Sequence, residues 1–205
     1  GIYIANVDGT NPRKIVGETN AKYLAFSHDG RWIAWSSNPV KTGTVNIDAV
    51  LADGSGRRMI VAGGSMPSWS PDDTQIVFHT CRETTCGIFK VNSAGGDAVL
   101  VIGDVGTAPA WSPDGKKIVY HAEVATLEQL FVINANGSGK KQLTYGNAHH
   151  VGAQWSPDGN FIFYRSPEGG SWSIWRMNAD GTNPVKLIDN VPPVDESFEK
   201  LAVTK

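Results

Sequence analysis

Histidine and arginine side chains are the residues of this sequence best suited to bind a ligand. Imidazole binds several transition metals, so His79, His121 and His149 are candidate ligands of a divalent metal if one rim of the fold brings them together. His150 and Arg165 would add polar groups for ligand binding at that rim. Adjacent strand residues point to opposite faces, so His149 and His150 cannot both face inward. Alternatively, all of these are solvated residues at strand ends whose equivalence reflects only repetition.

Trp172 is the tryptophan best placed to contact a ligand. It follows Gly169 and Gly170 in a polar loop. An exposed indole can stack on a sugar ring or anchor a protein partner. Packing between neighbouring sheets is the alternative role.

Cys81 and Cys86 are the only two cysteines, and four residues separate them. This spacing differs from the C-x-x-C pair of redox proteins. Across the mouth of a β-hairpin, their Cα atoms would fall within the range of about 4.4–6.8 Å that a disulfide needs. A disulfide is therefore favoured over reduced packing cysteines, and it implies an oxidising, extracytoplasmic location: periplasmic, cell-surface or secreted.

Composition and motifs exclude several classes of protein. The formal net charge is −2, whereas a nucleic-acid binder usually carries a basic surplus. No apolar run reaches the roughly 18 residues needed to cross a bilayer, so no membrane insertion is expected. The sequence contains no G-x-S-x-G, H-E-x-x-H, phosphate-binding or EF-hand motif. No catalytic residue is therefore assigned.

The elements that must position these residues recur with a fixed period. An aromatic residue precedes a turn at Phe26, Trp69, Trp111 and Trp155, at intervals of 43, 42 and 44 residues. Glycines of a second turn, at positions 9, 54, 95, 137 and 181, recur at similar intervals. A period of about 43 is typical of β-propellers, in which each repeat is a four-stranded blade. The sequence thus predicts an all-β propeller of antiparallel blades.

The aromatic residue is followed by a turn motif, as in residues 111–115 (WSPDG) and 155–159 (WSPDG). Proline presets φ, aspartate bonds to the local backbone, and glycine adopts the left-handed conformation. We label the four strands of a blade A, B, C and D, and predict that the motif is the A–B turn. The aromatic residue would anchor the blade to its neighbour. Two repeats deviate, with His28 in place of proline and Asp73 in place of glycine.

The repeats divide the chain into blades of a single propeller domain over residues 1–205. Residues 1–19 match the C–D half of a repeat, and 191–205 would supply an A–B half, so five blades are expected, one of them split between the termini. Joining the two ends would remove the free edges of the ring. A fragment of a larger ring is the alternative. The predicted full blades are residues 20–63, 64–103, 104–147 and 148–190.

Four copies of this pattern, at residues 26–30 (FSHDG), 69–73 (WSPDD), 111–115 and 155–159, resemble the TolB-type β-propeller, a WD-like repeat family. The resemblance implies the fold more than an activity. Related propellers occur in periplasmic protein-binding components, in domains that gate hydrolases, and in carbohydrate lyases that use a metal near the channel.

The loops indicate which face of the propeller carries a site. The A–B and C–D turns are short and repetitive, whereas the B–C loops on the opposite face vary between copies, as functional loops commonly do. We expect a non-catalytic scaffold that binds a protein or glycan on the face of the D–A and B–C loops, with no cofactor. The alternatives are a metal-assisted carbohydrate lyase or hydrolase with histidines at the channel mouth, and a gating or assembly module cut from a larger protein.

Overall fold

The structure, a computed structural model, describes residues 1–17, 20–37, 44–82 and 85–193. These residues form strands joined by turns and loops, in one two-stranded and four four-stranded sheets. None of the described residues belongs to a helix of the length and apolar character that a membrane span requires. The two-stranded sheet pairs β1 (Ile2–Ile4) with β2 (Arg13–Val16).

Each four-stranded sheet is an antiparallel meander of consecutive strands, and we call these sheets blades 1 to 4. Blade 1 contains β3 (Lys22–Phe26), β4 (Trp32–Ser37), β5 (Asn46–Leu51) and β6 (Arg58–Ala62). Blade 2 contains β7 (Ser65–Trp69), β8 (Gln75–Arg82), β9 (Thr85–Asn92) and β10 (Val99–Ile102). Blade 3 contains β11 (Thr107–Trp111), β12 (Lys117–Val124), β13 (Leu127–Asn134) and β14 (Lys141–Gln142). Blade 4 contains β15 (Val151–Trp155), β16 (Phe161–Ser166), β17 (Ser173–Asn178) and β18 (Val185–Ile188).

The first strands of the blades contact one another, β3 with β7, β7 with β11 and β11 with β15. The blades are therefore arranged around a common centre, as in a propeller. Strand A of every blade is the innermost strand, and the all-β propeller architecture expected from the sequence is confirmed.

The described hydrophobic core forms four clusters, of which three lie between neighbouring blades, in interfaces that we call seams, and one lies between the β1–β2 sheet and blade 1. Successive strand residues point to opposite faces, so each central strand contributes to two seams. Ile118 packs toward blade 2, whereas its neighbour Val119 packs toward blade 4. Each seam also contains an aromatic side chain from the second strand of the later blade: Phe78, Tyr120 and Tyr164.

The A–B turn is stabilised by its own serine and aspartate. Ser112 Oγ donates a hydrogen bond to Asp114 Oδ1 (2.6 Å) and accepts one from the amide of Lys117 (2.9 Å). The amide of Lys116 donates to the same carboxylate (3.0 Å), and Gly115 has a φ of 71°. The equivalent serine–aspartate bond is present in all four blades, in the pairs Ser27–Asp29, Ser70–Asp72, Ser112–Asp114 and Ser156–Asp158.

The two residues that depart from the turn motif are in contact with each other. The amides of His28 and Asp29 donate hydrogen bonds to the two carboxylate oxygens of Asp73, at 2.7 and 2.9 Å. In the next seam this position holds Pro71 and Gly115, and a Cβ on that glycine would lie 3.6 Å from the proline ring. Proline has no amide hydrogen to donate, so Asp73 can be bonded in this way only because residue 28 is not proline.

Three of the four predicted anchors are buried in seams. Trp69 is 3% exposed, and its Nε1 donates to the carbonyl of Ala25 in the preceding blade (3.0 Å). Trp155 is bound in the same way, with Nε1 3.3 Å from the carbonyl of Ala110. Trp111 is also buried, but its Nε1 has no hydrogen-bond partner among the described residues.

The prediction that Phe26 is a buried anchor is wrong. Its side chain is 55% exposed, and other residues of β3 are also accessible. The anchors of blades 2 to 4 are buried because each has the inner strand of a preceding blade beside it. Among the described residues, the sheet beside blade 1 consists of β1 and β2. Its contact is made through Ile2 and Val16, which pack against Ile33, Trp35 and Val50 and not against Phe26.

The described residues contain four complete blades and not the five that the sequence predicts. The expected C–D half of the fifth blade is present as β1–β2. The expected A–B half comprises residues 191–205, and residues 194–205 lie outside the described residues. Residues 191–193 form no strand.

Candidate binding cleft

The structure places His79, His121 and Arg165 at equivalent positions of strand B. Each is paired with the first residue of its own strand A: His79 with Ser65, His121 with Thr107, and Arg165 with Val151. Repetition of the blade accounts for this equivalence.

The two histidines are bonded to the first strand of their own blades, and Arg165 is bonded to the segment that follows blade 4. His121 is buried, and its Nε2 lies 2.7 Å from Thr107 Oγ1. His79 Nδ1 lies 3.5 Å from Ser65 Oγ, and burial lowers the pKa of His79. Arg165 donates from Nη2 to the carbonyl of Pro192.

The predicted metal set is not assembled. Within the four described ranges, no three histidine, cysteine, aspartate or glutamate side chains are arranged so that they could hold a metal ion. His79, His121 and His149 belong to different local networks, so the expectation that one rim unites them as ligands is wrong. Each strand-end residue repeats at the same height of its blade but on a different blade, which separates these side chains.

A cleft of about 310 Å³ opens on the predicted face, between the loop that leads into β15 and the loop that follows β16. The first is a D–A loop and the second a B–C loop. The residues that line the cleft are Tyr145, Asn147, Ala148, His149, His150, Pro167, Glu168 and Gly169.

The D–A loop is tied to strand β13 of blade 3. The amide of His150 donates to the carbonyl of Glu128 (2.9 Å), and Gln129 Nε2 donates to the carbonyl of Ala148 (3.0 Å). The side-chain amide of Gln129 is itself fixed in orientation, because its Oε1 accepts a hydrogen bond from Thr144 Oγ1 (2.9 Å). These bonds make one wall of the cleft part of the blade 3 scaffold.

The two adjacent histidines precede β15 and both line the cleft, but their environments differ. His149 is partly exposed, and its Nδ1 is bonded to the carboxylate of Glu128. His150 is 2% exposed, and its ring lies 5.6 Å from that of Tyr164. Its Nε2 is 3.5 Å from Glu168 Oε2, and its Nδ1 has no hydrogen-bond partner in the described part of the chain. Burial lowers the pKa of His150, against the opposing attraction of Glu168.

Two exposed side chains stand on the rim. Tyr145 is 69% exposed, and its hydroxyl donates to the carbonyl of Gln142 (3.2 Å), which orients the ring. The Glu168 side chain is 55% exposed, and its amide donates to Ser166 Oγ (3.1 Å). The cleft thus combines an oriented aromatic ring, an accessible carboxylate and a buried, under-bonded imidazole.

Trp172 does not line this cleft. It is half-buried, and its carbonyl accepts a hydrogen bond from the amide of Val191 (2.8 Å). Its backbone therefore connects the B–C loop of blade 4 to the segment that follows β18.

Cys81 and Cys86 are joined by a disulfide in the structure, with Cα atoms 3.9 Å apart. They face each other directly in the ladder between β8 and β9. The disulfide therefore closes the B–C loop of blade 2, on the same face as the cleft.

The opposite face differs in how its carboxylates are used. The turn aspartates are bonded to their own serines and amides, and these bonds lower the pKa values of Asp29, Asp72, Asp114 and Asp158. A second depression, of about 460 Å³, lies among the turns of blades 2 and 3. Asp72 and Asp114 line it, and in each of them the Oδ1 atom is bonded to the serine of its own turn.

Sequence reasoning missed two residues of this site, Glu128 and Glu168. Both lie in variable B–C loops or directly after them, which is the available signal. Their partners are in a D–A loop, and only the packing of blade 3 against blade 4 brings the two loops together.

The TolB beta propeller domain family matches residues 98–190 of the chain. A sequence comparison with curated proteins finds no match. Among solved structures, a putative TolB from Agrobacterium tumefaciens is similar, with a TM-score of 0.81 and 20% identity over 91% of this chain and 73% of that chain.

Proteins with other roles share this fold. An oligogalacturonate lyase from Vibrio parahaemolyticus has a TM-score of 0.68 at 16% identity, over 94% of this chain and 60% of that chain. A chain of a nidogen/laminin complex has a TM-score of 0.69 at 14% identity, over 93% of this chain and 71% of that chain. At these identities the likeness shows a common fold and leaves the function to be argued from the site.

Proposed function

We propose that the chain, which has the fold of TolB propellers and matches the TolB beta propeller domain family over residues 98–190, is a non-catalytic scaffold that binds a protein partner. The partner binds on the face of the D–A and B–C loops, at the cleft between blades 3 and 4. The observation that carries the proposal is the contrast between the two faces. On the turn face the aspartates are bonded within their own turns, whereas the cleft presents Tyr145 and Glu168 to solvent.

A protein partner fits this cleft better than a glycan does. Protein interfaces depend on a few aromatic and charged anchors around a recess, and the rim has both. The nidogen/laminin complex contains a propeller similar to this one in a complex between proteins. Trp172, expected from the sequence to stack on a sugar ring or to anchor a protein partner, is half-buried and lies outside the cleft, so the aromatic ring at the cleft is that of Tyr145.

The chain is proposed to act outside the cytoplasm. The Cys81–Cys86 disulfide supports this location, because disulfides persist in oxidising compartments. Alkylation of freshly lysed source cells tests it. Both cysteines should resist alkylation until a reductant is added, and rapid labelling of native material without reductant would reject the proposal.

Capture of partners by the immobilised full chain tests which face binds. Asn147→Trp adds bulk inside the cleft at an exposed residue, and Lys116→Trp adds the same bulk at an exposed A–B turn on the other face. Proteins retained from an extract of source cells by the wild type and by Lys116→Trp should be lost with Asn147→Trp. Equal retention by Asn147→Trp, or loss with Lys116→Trp alone, would overturn the assignment of the face.

A further inference from the structure

The cleft between blades 3 and 4 has the chemistry of a receptor for a basic side chain. We infer that it binds an arginine or lysine of the partner, with the cation at Glu168 and the aliphatic stem against Tyr145. This inference rests on the proposed function and specifies what the site recognises.

The carboxylate of Glu168 supplies the charge. It is 55% exposed, and its nearest partner is His150 Nε2, at 3.5 Å. That distance is beyond the usual 2.7–3.2 Å of an N–H···O bond, so the carboxylate keeps accepting capacity for a ligand. A guanidinium group offers a planar fork of donors that matches a carboxylate at two points.

Tyr145 supplies the apolar contact. Its ring is 69% exposed, and the bond from its hydroxyl to Gln142 fixes its position on the rim. Arginine and lysine stems lie along aromatic surfaces, and their cations are attracted to aromatic faces. Pro167 extends the apolar surface beside it.

His150 is a second indication of a ligand. Its side chain is 3% exposed and lines the cleft, and its Nδ1 has no partner within hydrogen-bond geometry in the described part of the chain. Burial, which lowers the pKa of the imidazole, is nevertheless opposed by the nearby backbone of Ala148, which raises that pKa. Buried polar atoms are normally satisfied, so an unpaired one beside a cavity indicates a missing group or water. Burial disfavours a charge on this imidazole, so it does not repel an incoming cation.

Within the ranges that the structure describes, the cleft lining contains no cationic side chain of the lysine or arginine type. Lys186 lies beside the cleft, since a Cβ on Gly169 would be 3.2 Å from its Nζ. That ammonium group is also 3.3 Å from Asp189 Oδ1 and 5.4 Å from the centre of the Trp175 ring. The lining itself therefore carries the Glu168 carboxylate without a lysine or arginine, and a basic group from outside can approach it.

Titration of the isotopically labelled full chain with short peptides, followed by NMR, tests the inference. The probes are an acetylated, amidated Gly-Arg-Gly peptide and its citrulline counterpart, which keeps the shape and loses the charge. The arginine peptide should shift the amides of residues 145–150 and 168–169, and the citrulline peptide should bind at least about tenfold more weakly, the factor expected for one charge-assisted hydrogen bond.

Variants distinguish binding of the peptide at the cleft from nonspecific attraction between its charge and other carboxylates of the surface. Glu168→Gln should weaken binding of the arginine peptide about tenfold, and Tyr145→Ala should weaken it by a smaller factor. Glu123→Gln is the matched control, because Glu123 is an exposed carboxylate at the end of β12, outside the cleft. Equal binding of both peptides, or equal loss in Glu123→Gln and Glu168→Gln, would overturn the inference.

The outcome is distinguishable from that of the capture experiment. If Asn147→Trp abolishes capture while the arginine peptide does not bind, the scaffold function stands and the basic anchor is wrong. If the peptide binds at the cleft but no protein depends on it, the basic site stands and the protein partner is wrong.

Discussion

The two sides of blade 1 differ in packing. The side that faces blade 2 forms a seam around Trp69, and the side that faces the β1–β2 sheet carries the equivalent aromatic residue, Phe26. Trp69 is buried and bonded to Ala25 of the preceding blade, whereas Phe26, at the same place in its repeat, is 55% exposed. The repeat motif therefore encodes a side chain directed at a neighbour, and the neighbour decides whether that side chain is buried. Anchoring is a property of pairs of blades, and a single motif does not guarantee it.

The largest expected loss of stability follows from removing a buried anchor side chain. Trp111→Ala should lower the free energy of unfolding by about 3–5 kcal/mol, because it removes a buried indole from a seam. Phe26→Ala should lower it by less than about 1 kcal/mol, since most substitutions of exposed residues have small effects. Urea unfolding of both variants measures the difference. A cost for Phe26→Ala that equals that of Trp111→Ala would show that Phe26 is covered in solution.

The next effect concerns the contact of His28 and Asp73 across the first seam. His28→Pro removes an amide donor, and Asp73→Gly removes the carboxylate that accepts it. His28→Pro leaves Asp73 with the amide of Asp29 alone, and Asp73→Gly leaves the amides of His28 and Asp29 without their acceptor. The double variant restores the proline–glycine pair of the later seams. We expect a coupling free energy of about 1–2 kcal/mol in a double-mutant cycle followed by urea unfolding. Additive effects would show that the two deviations are independent.

A smaller difference in the free energy of unfolding should distinguish phenylalanine substitutions at the two buried tryptophans Trp69 and Trp111. Trp69→Phe loses a hydrogen bond to Ala25, whereas Trp111→Phe loses none, because Trp111 Nε1 has no partner in the described ranges. Trp69→Phe should therefore be more destabilising by about 1 kcal/mol. Thermal or urea unfolding of the two variants checks this, and the reverse order would mean that Trp111 Nε1 is bonded in solution.

The smallest effect is a dependence on pH at the third seam. The pKa of His150 is lowered in the folded state by burial, so the unfolded state binds the proton more readily. Stability from this residue is fully present above its unfolded pKa of about 6.5 and is lost as pH falls below that value toward the folded pKa. His150→Gln should flatten this loss, measured as the midpoint of urea unfolding between pH 7.5 and 5. His79→Gln should flatten it too, since burial lowers the pKa of His79, and an unchanged slope in both variants would contradict the assignment.

The sequence was sufficient to predict the parts of the fold that depend on local chemistry. The spacing of Trp69, Trp111 and Trp155 predicts the blades, and the Ser-Pro-Asp-Gly turn forms with the serine–aspartate bonds that its residues favour. Both features are set within a few residues along the chain. Strand alternation likewise indicates which residues of a blade face each seam.

Features that depend on two blades could not be predicted. The exposure of Phe26 depends on what lies beside β3, where the described residues place only the sheet of β1 and β2. The carboxylate of Glu168 meets His150 only because blades 3 and 4 pack together. The histidines repeat at equal heights, which suggested a shared metal, but equal height on different blades does not bring side chains into contact. The sequence predicted the face of the cleft but not the side chains that meet in it.

The bond between Asp73 and the amides of His28 and Asp29 has a consequence for protein engineering. Because the blades are repeats, chimeras can be designed in which one blade replaces another, for example blade 3 in place of blade 1. Its turn carries Pro113, which has no amide hydrogen and would face the Asp73 carboxylate. Blade 1 and blade 2 must therefore be transplanted together, because their matching turns specify the order in which these two modules follow each other.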